Sequence, residues 1–200
     1  MARQREFDKQ VVLERAIRLF WERGYEATSI RDLLDVMGIS SSSLYETFGD
    51  KRGVFLAALA QFCEWERAQI SQMAQEASSP DKFIEHLFSS VDQILYASTP
   101  TQGSLALNTM VEYGTRDPDI TQLLLAHYFG IAHIVTQVIQ AGQAQGNIQN
   151  AQPAAELAHT LLSTLYGVVM LKGVKPDFPH NQAITQVILQ LLALSPTSST

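Results

Sequence analysis

Three residues, Met37-Gly38-Ile39, constrain this chain more than any others. They join two short stretches of helical apolar spacing, Ser29–Val36 and Ser40–Glu46. A tight, glycine-containing joint between two short helices is the helix-turn-helix arrangement. In it the second helix enters a DNA major groove, so its outer face must be slim and polar while its inner face stays apolar. Ser41, Ser42 and Ser43 supply the slim face here, and Leu44 and Phe48 the inner one. A row of serines, ordinarily a loop signal, thus reads as the groove face of a recognition helix.

Strand signals are nearly absent elsewhere. Three-and-four spacing recurs as Leu13, Ala16, Ile17, Phe20; as Ile30, Leu33, Leu34, Met37; and as Phe55, Ala58, Leu59, Phe62. Asp8, then Thr28 or Ser29, then Ser40 and Asp50 are capping residues for four successive helices, the fourth reaching about Ala77. Ser79-Pro80 opens a fifth, after which 98–103 reads as a loop. A sixth helix covers Ser104–Tyr113. Asp117-Pro118-Asp119 starts a seventh, with a capping acid, a proline and a second acid at the positive helix end. It runs to about Gln145; an eighth spans Pro153–Lys172 and a ninth Gln182–Leu194. The predicted class is all-α, with about nine helices. A three-helix head that holds the helix-turn-helix (1–52) precedes a larger helical body (53–200).

The net charge of -6 does not by itself suggest nucleic acid. Its distribution favours two jobs: residues 1–52 carry nine basic and nine acidic groups, the remainder five and eleven. Cys63 is the only cysteine, so no internal disulfide is possible, as suits a reducing cytoplasm. The N-terminus lacks the apolar core of a signal peptide. No unbroken apolar run approaches the roughly 18 residues of a membrane span; the longest, Leu161–Leu171, is broken by Ser163, Thr164 and Gly167.

The first quarter resembles the TetR/AcrR family of bacterial transcriptional regulators. The pattern is carried by Ala16, Phe20, Gly24-Tyr25, Thr28-Ser29-Ile30, Leu33, Gly38-Ile39-Ser40, Ser43-Leu44-Tyr45, Phe48 and Lys51. Leu34 stands where alanine is usual and Ser42 where glycine is common. The resemblance implies a DNA-binding head over 1–52, a ligand-binding and dimerisation body over 53–200, a homodimer whose last two long helices form a four-helix interface, and a repressor released from a palindromic operator by a small molecule. The sixth helix is similar to one branch of the family, in which it opens Gly-Cys-Leu-x-x-Asn-x-x-x-Glu. Here Gly103-Ser104-Leu105 leads to Asn108 and Glu112, and serine replaces the cysteine. Any thiol sensing tied to that position is unavailable to this chain.

Thr28, Ser29, Tyr45 and Lys51 resemble the family's phosphate contacts, and helix-end hydroxyls and N–H groups do bind phosphate. The alternative is that Thr28 and Ser29 only cap and that Tyr45 is core. Between Ser40 and Leu44 there is no Arg, Lys, Asn or Gln, so bidentate reading of bases by that segment is excluded. Specificity then falls to Arg31, DNA shape or half-site spacing. Arg3 and Arg5 are candidates for a basic arm.

Tyr96, Asn108, Glu112, Tyr128 and Tyr166 are polar groups on apolar helices and are candidate ligand-pocket residues, or else capped, exposed or core-bonded. Leu161, Leu162, Leu165, Val169, Ile184, Val187, Ile188 and Leu191 fit a core or a dimer seam. Glu156 and His159 have metal-pair spacing without a second pair, so no metal or other cofactor is expected. No nucleophile–base arrangement appears. The competing class is a helical-bundle enzyme or carrier without DNA binding.

Overall fold

The computed structural model describes residues 7–96, 104–174 and 181–192, and side chains within these except at 91–96 and 181. Arg3 and Arg5, the 98–103 loop and the Tyr96 side chain therefore lie outside the described residues. Among the described residues all regular structure is helical: α1 (Lys9–Arg23), α2 (Ile30–Met37), α3 (Ser41–Phe48), α4 (Lys51–Glu76), α5 (Pro80–Tyr96), α6 (Leu105–Tyr113), α7 (Pro118–Ala144), α8 (Ala154–Val174) and α9 (Asn181–Leu191).

Local chemistry sets the starts. Asp8, Ser29, Ser40, Asp50, Ser104 and Asp117 each accept hydrogen bonds from backbone N–H groups of the first turn. Each such cap contributes about 1 kcal/mol, less than the roughly 1.5–3 kcal/mol of one fully buried large apolar side chain. Caps fix where helices begin, and burial fixes how they pack. The recognition segment shows this: α3 continues to Phe48, two residues past the expected Glu46, because Leu44 and Phe48 both turn inward and Gly49 stops it.

Two apolar clusters form the core. One joins α1, α2, α3 and the first half of α4 through Leu13, Phe20, Leu33, Leu44 and Phe55. It does not end at the head: Leu105 and Ala106 of α6 and Ile120 and Leu124 of α7 belong to it. The second joins α5, α7, α8 and α9 through Phe83, Phe88, Val135, Leu162 and Ile188. Helix α4 runs from the first cluster to the edge of the second and packs along both α1 and α7. Helices α7 and α8 are long and apolar enough to cross a membrane, with window mean hydropathies of 1.3, a property that unbroken-run reading missed. They pack against each other in the body.

Of the residues assigned to core or seam, Leu161, Leu162, Leu165 and Ile188 are buried within the chain. Val169 and Ile184 are partly buried, whereas Val187 and Leu191 face outward.

Candidate DNA interface and effector cavity

The turn between α2 and α3 is built on Gly38, whose φ of 69° lies in the left-handed region. A side chain there would be strained, and would also meet Arg15, whose Nη1 donates to the Met37 carbonyl. The Ser40 hydroxyl caps α3 by accepting from the Ser43 N–H at 3.1 Å. It also lies 2.9 Å from the hydroxyls of both Ser42 and Ser43. Ser41 and Ser42 are exposed and Ser43 is half-buried, while Leu44 is fully buried. The result is a slim hydroxyl cluster over the N-terminus of a helix, where free N–H groups favour anions.

Around it, Ser29 and Asp32 form a reciprocal capping box at the start of α2. The Ser29 hydrogen bonds, followed by Arg23 nearby, hold the Asp32 carboxyl below its ordinary range. Arg31 is exposed on α2 and Tyr45 is exposed on α3. Lys51 sits with its Nζ 4.2 Å from the centre of the Tyr25 ring and donates to the Glu26 carbonyl at 3.4 Å. Thr28 differs from the others: it is buried, and its hydroxyl donates to the Gly24 carbonyl at 2.7 Å. Its side chain locks the approach to α2 and is not offered outward.

The body holds a cavity of about 200 Å³ between α4, α5, α6, α7 and α8. Tyr166 lines it. Tyr128 stands behind Tyr166, ring centres 5.9 Å apart, with its hydroxyl 2.7 Å from His159 Nδ1. Burial, and after it the charge of Glu66, pushes the Tyr166 phenol up. Asn108 and Glu112 are exposed on α6 and do not line the cavity. Helix α6 instead turns Leu105, Ala106, Leu107 and Thr109 inward. Glu112 lies near Gly24 of the head.

Among the cavity residues that sequence reading missed are Trp65, Glu66 and Gln69 of α4. A signal for Glu66 was present: it follows Phe62 by four residues and so continues the inward stripe of α4 as a charge. Ser104 lines the cavity at the start of α6. Cys63, one turn before Arg67, is buried, and desolvation pushes its thiol up to about 12.

Helix α6 connects cavity and head. Ser104 and Leu107 face the cavity. At the other end Tyr113 packs edge-on to Tyr25 at 5.7 Å and its hydroxyl donates to Glu26 at 3.3 Å. Beside it Arg52 clasps Asp117, the cap of α7, at 2.9 and 2.8 Å, and also Asp119 at 2.6 Å.

Residues 12–58 match the family model described as "Bacterial regulatory proteins, tetR family". Residues 82–187 match "Tetracyclin repressor-like, C-terminal domain". The uncharacterised HTH-type transcriptional regulator YezE of Bacillus subtilis is 36% identical over 129 residues. That alignment covers 64% of this chain and 64% of YezE, so the chain spans just under two thirds of that relative. The HTH-type transcriptional repressor ComR of Escherichia coli is 26% identical over 83% of this chain and 80% of its own length. A cysteine mutant of the TetR-family regulator CifR, solved on 26-base-pair operator DNA, superposes with a TM-score of 0.77 at 25% identity. The match covers 97% of this chain and 100% of that one. With one model matched across the head and another across more than half of the chain, this protein belongs to the TetR family of bacterial transcriptional regulators.

Proposed function

We propose that the chain works in the cytoplasm as a dimeric repressor. Two α3 helices hold successive major grooves of a palindromic operator, and a small molecule in the body cavity releases them. Residues 1–52 would serve as the head and 53–200 as the body. The observation that carries this reading is the continuity of the head core with α6 and α7, one of which begins at the cavity. An occupant that repositions α6 moves Tyr113 against Tyr25 and Glu26, and so reorients the head. The occupant shifts the balance only by its difference in affinity for the two head spacings. Relatives named as repressors support the sign of regulation.

On DNA, Ser29, Tyr45 and Lys51 would contact phosphates, with Ser40 and the helix N-terminus beside it. Ser41, Ser42 and Ser43 would touch base edges permissively, and Arg31 would add the discriminating contact. The test is fluorescence anisotropy of the protein on its own upstream DNA and on DNA selected from a random pool, across a salt series. Specific binding that weakens with salt is expected, with Lys51→Ala lowering the log–log slope by about one. Binding no tighter than to arbitrary duplex in both pools would sink the reading.

A further inference from the structure

We infer that the body cavity takes a small lipophilic amine, bound as its cation with the charged nitrogen on Glu66; this rests on the cavity being the effector site. Glu66 lines the cavity. Its Oε2 lies 2.8 Å from His127 Nε2, and both side chains are withdrawn from solvent, at 13% and 4% exposure. The other ring nitrogen, His127 Nδ1, is enclosed and has no hydrogen-bond partner among the described residues.

That orphan bears on which form of the ring fits the site. An imidazolium would bury an N–H with no acceptor, which is the costlier form of an unmet group. A neutral ring with its proton on Nε2 donates to Glu66 and leaves only a bare lone pair at Nδ1. In that neutral form the histidine orients the carboxylate and leaves its charge in place. Among the described residues, no hydrogen bond to the second carboxylate oxygen of Glu66, Oε1, is made.

No Lys, Arg or His lines the cavity among the described residues, and the nearby Arg67 lies along Gly130 of α7 instead. A carboxylate largely withdrawn from solvent, with no cation beside it in the cavity wall, is stabilised by a cationic partner. The remaining walls say what shape that partner has. Ile70, Leu87 and Leu165 call for hydrocarbon, and the Trp65 and Tyr166 rings suit a cation at their faces. Tyr166 keeps its proton, since burial pushes its phenol up, and so adds a neutral hydroxyl near Glu66. A carboxylate or phosphate ligand would meet like charge with nothing to offset it. The acidic body, with five basic and eleven acidic residues after position 52, adds a weak field of the same sign.

Three probes that share a phenyl ring and differ in head charge test this on the full chain: phenethylamine, 2-phenylethanol and phenylacetate. Calorimetry and tryptophan fluorescence read the affinities. The amine is expected to bind about tenfold or more tighter than the alcohol, and the acid weakest. Glu66→Gln keeps an acceptor for His127 and removes the charge. It is expected to weaken the amine about ten- to a hundredfold while moving the alcohol by less than about threefold. The unchanged alcohol shows that the variant is folded. Equal binding of amine and alcohol, preference for the acid, or equal losses for both probes in Glu66→Gln would overturn the amine assignment and leave the cavity standing. If none of the three binds, the cavity reading falls with it.

Discussion

At the scale of single residues, the contact that most directly ties head to body is Arg52. Its Nε and Nη2 donate to both oxygens of Asp117, and Nη2 also reaches Asp119. Asp117 is at the same time the cap of α7, accepting from the N–H groups of Asp119 and Ile120. The Arg52 hydrogen bonds, with the backbone N–H groups assisting, hold the Asp117 carboxyl down at about 2. An unperturbed aspartate titrates near pH 3.9. A depressed folded value means stabilisation that is complete above the unfolded value and is lost as pH falls through the folded one. Arg52 is 41% exposed, so solvent screens part of the effect. Arg52→Ala should therefore melt at a lower temperature than the parent at neutral pH, and the gap should narrow as pH drops from about 4 towards 2. Circular-dichroism melts at a series of pH values check this. A gap that stays constant down to the acid limit would show that Asp117 draws nothing from Arg52.

At the scale of elements, the joint between α3 and α4 controls how the recognition helix is presented. Gly53 stands in the first turn of α4, and a Cβ there would lie 1.8 Å from the Phe48 carbonyl oxygen and 2.9 Å from its carbon. Both atoms are backbone, so no side-chain rotation relieves the clash. Gly53→Ala must push the end of α3 away from α4. Overpacking of this kind costs about 1–3 kcal/mol, or roughly 2–10 °C in a chain of this size. Because the displaced element is the one proposed to enter the groove, operator affinity should fall by about tenfold or more with helix content retained. Melting curves and anisotropy on the same sample separate the two effects, and unchanged operator affinity would refute this role for the joint.

Much of this layer was legible from sequence, because caps and stripes are local. Asp8, Ser29, Ser40, Asp50 and Asp117 all cap where their spacing placed them. What was not legible depends on contacts far apart in the chain. Arg52 meets Asp117 across 65 positions, and Glu66 meets His127 across 61. Neither pairing leaves a trace in periodicity. Asn108 and Glu112 show a related limit, since a nine-residue helix offers too few turns to reveal which side is buried. Thr28 shows another: a threonine beside a cap looks the same in sequence whether its hydroxyl faces outward or back to a carbonyl.

At the scale of the whole molecule, one surface remains to be accounted for. On α8, Met170, Leu171 and Val174 are 49%, 50% and 87% exposed, and on α9, Val187 and Leu191 are 62% and 44% exposed. Gly167, one turn before Leu171, has open space where a side chain would stand, so this face of α8 is low enough for close helix approach. Solvent-facing apolar stripes of this kind on a folded chain are candidate interfaces. In the proposed dimer a two-fold contact would bury the same surface from both copies and pack four helices together. The pairing would also link two recognition helices, so that engaging one half-site raises the effective concentration at the other. Charging the patch with Leu171→Glu and Val187→Glu together should therefore do two things. Light scattering should report a monomer with undiminished helix content, and affinity for a full palindrome should fall by about a hundredfold or more, while affinity for an isolated half-site changes little. If the double variant still runs as a dimer, the seam lies elsewhere. If it is monomeric yet binds the full palindrome as before, the two heads do not act together on DNA.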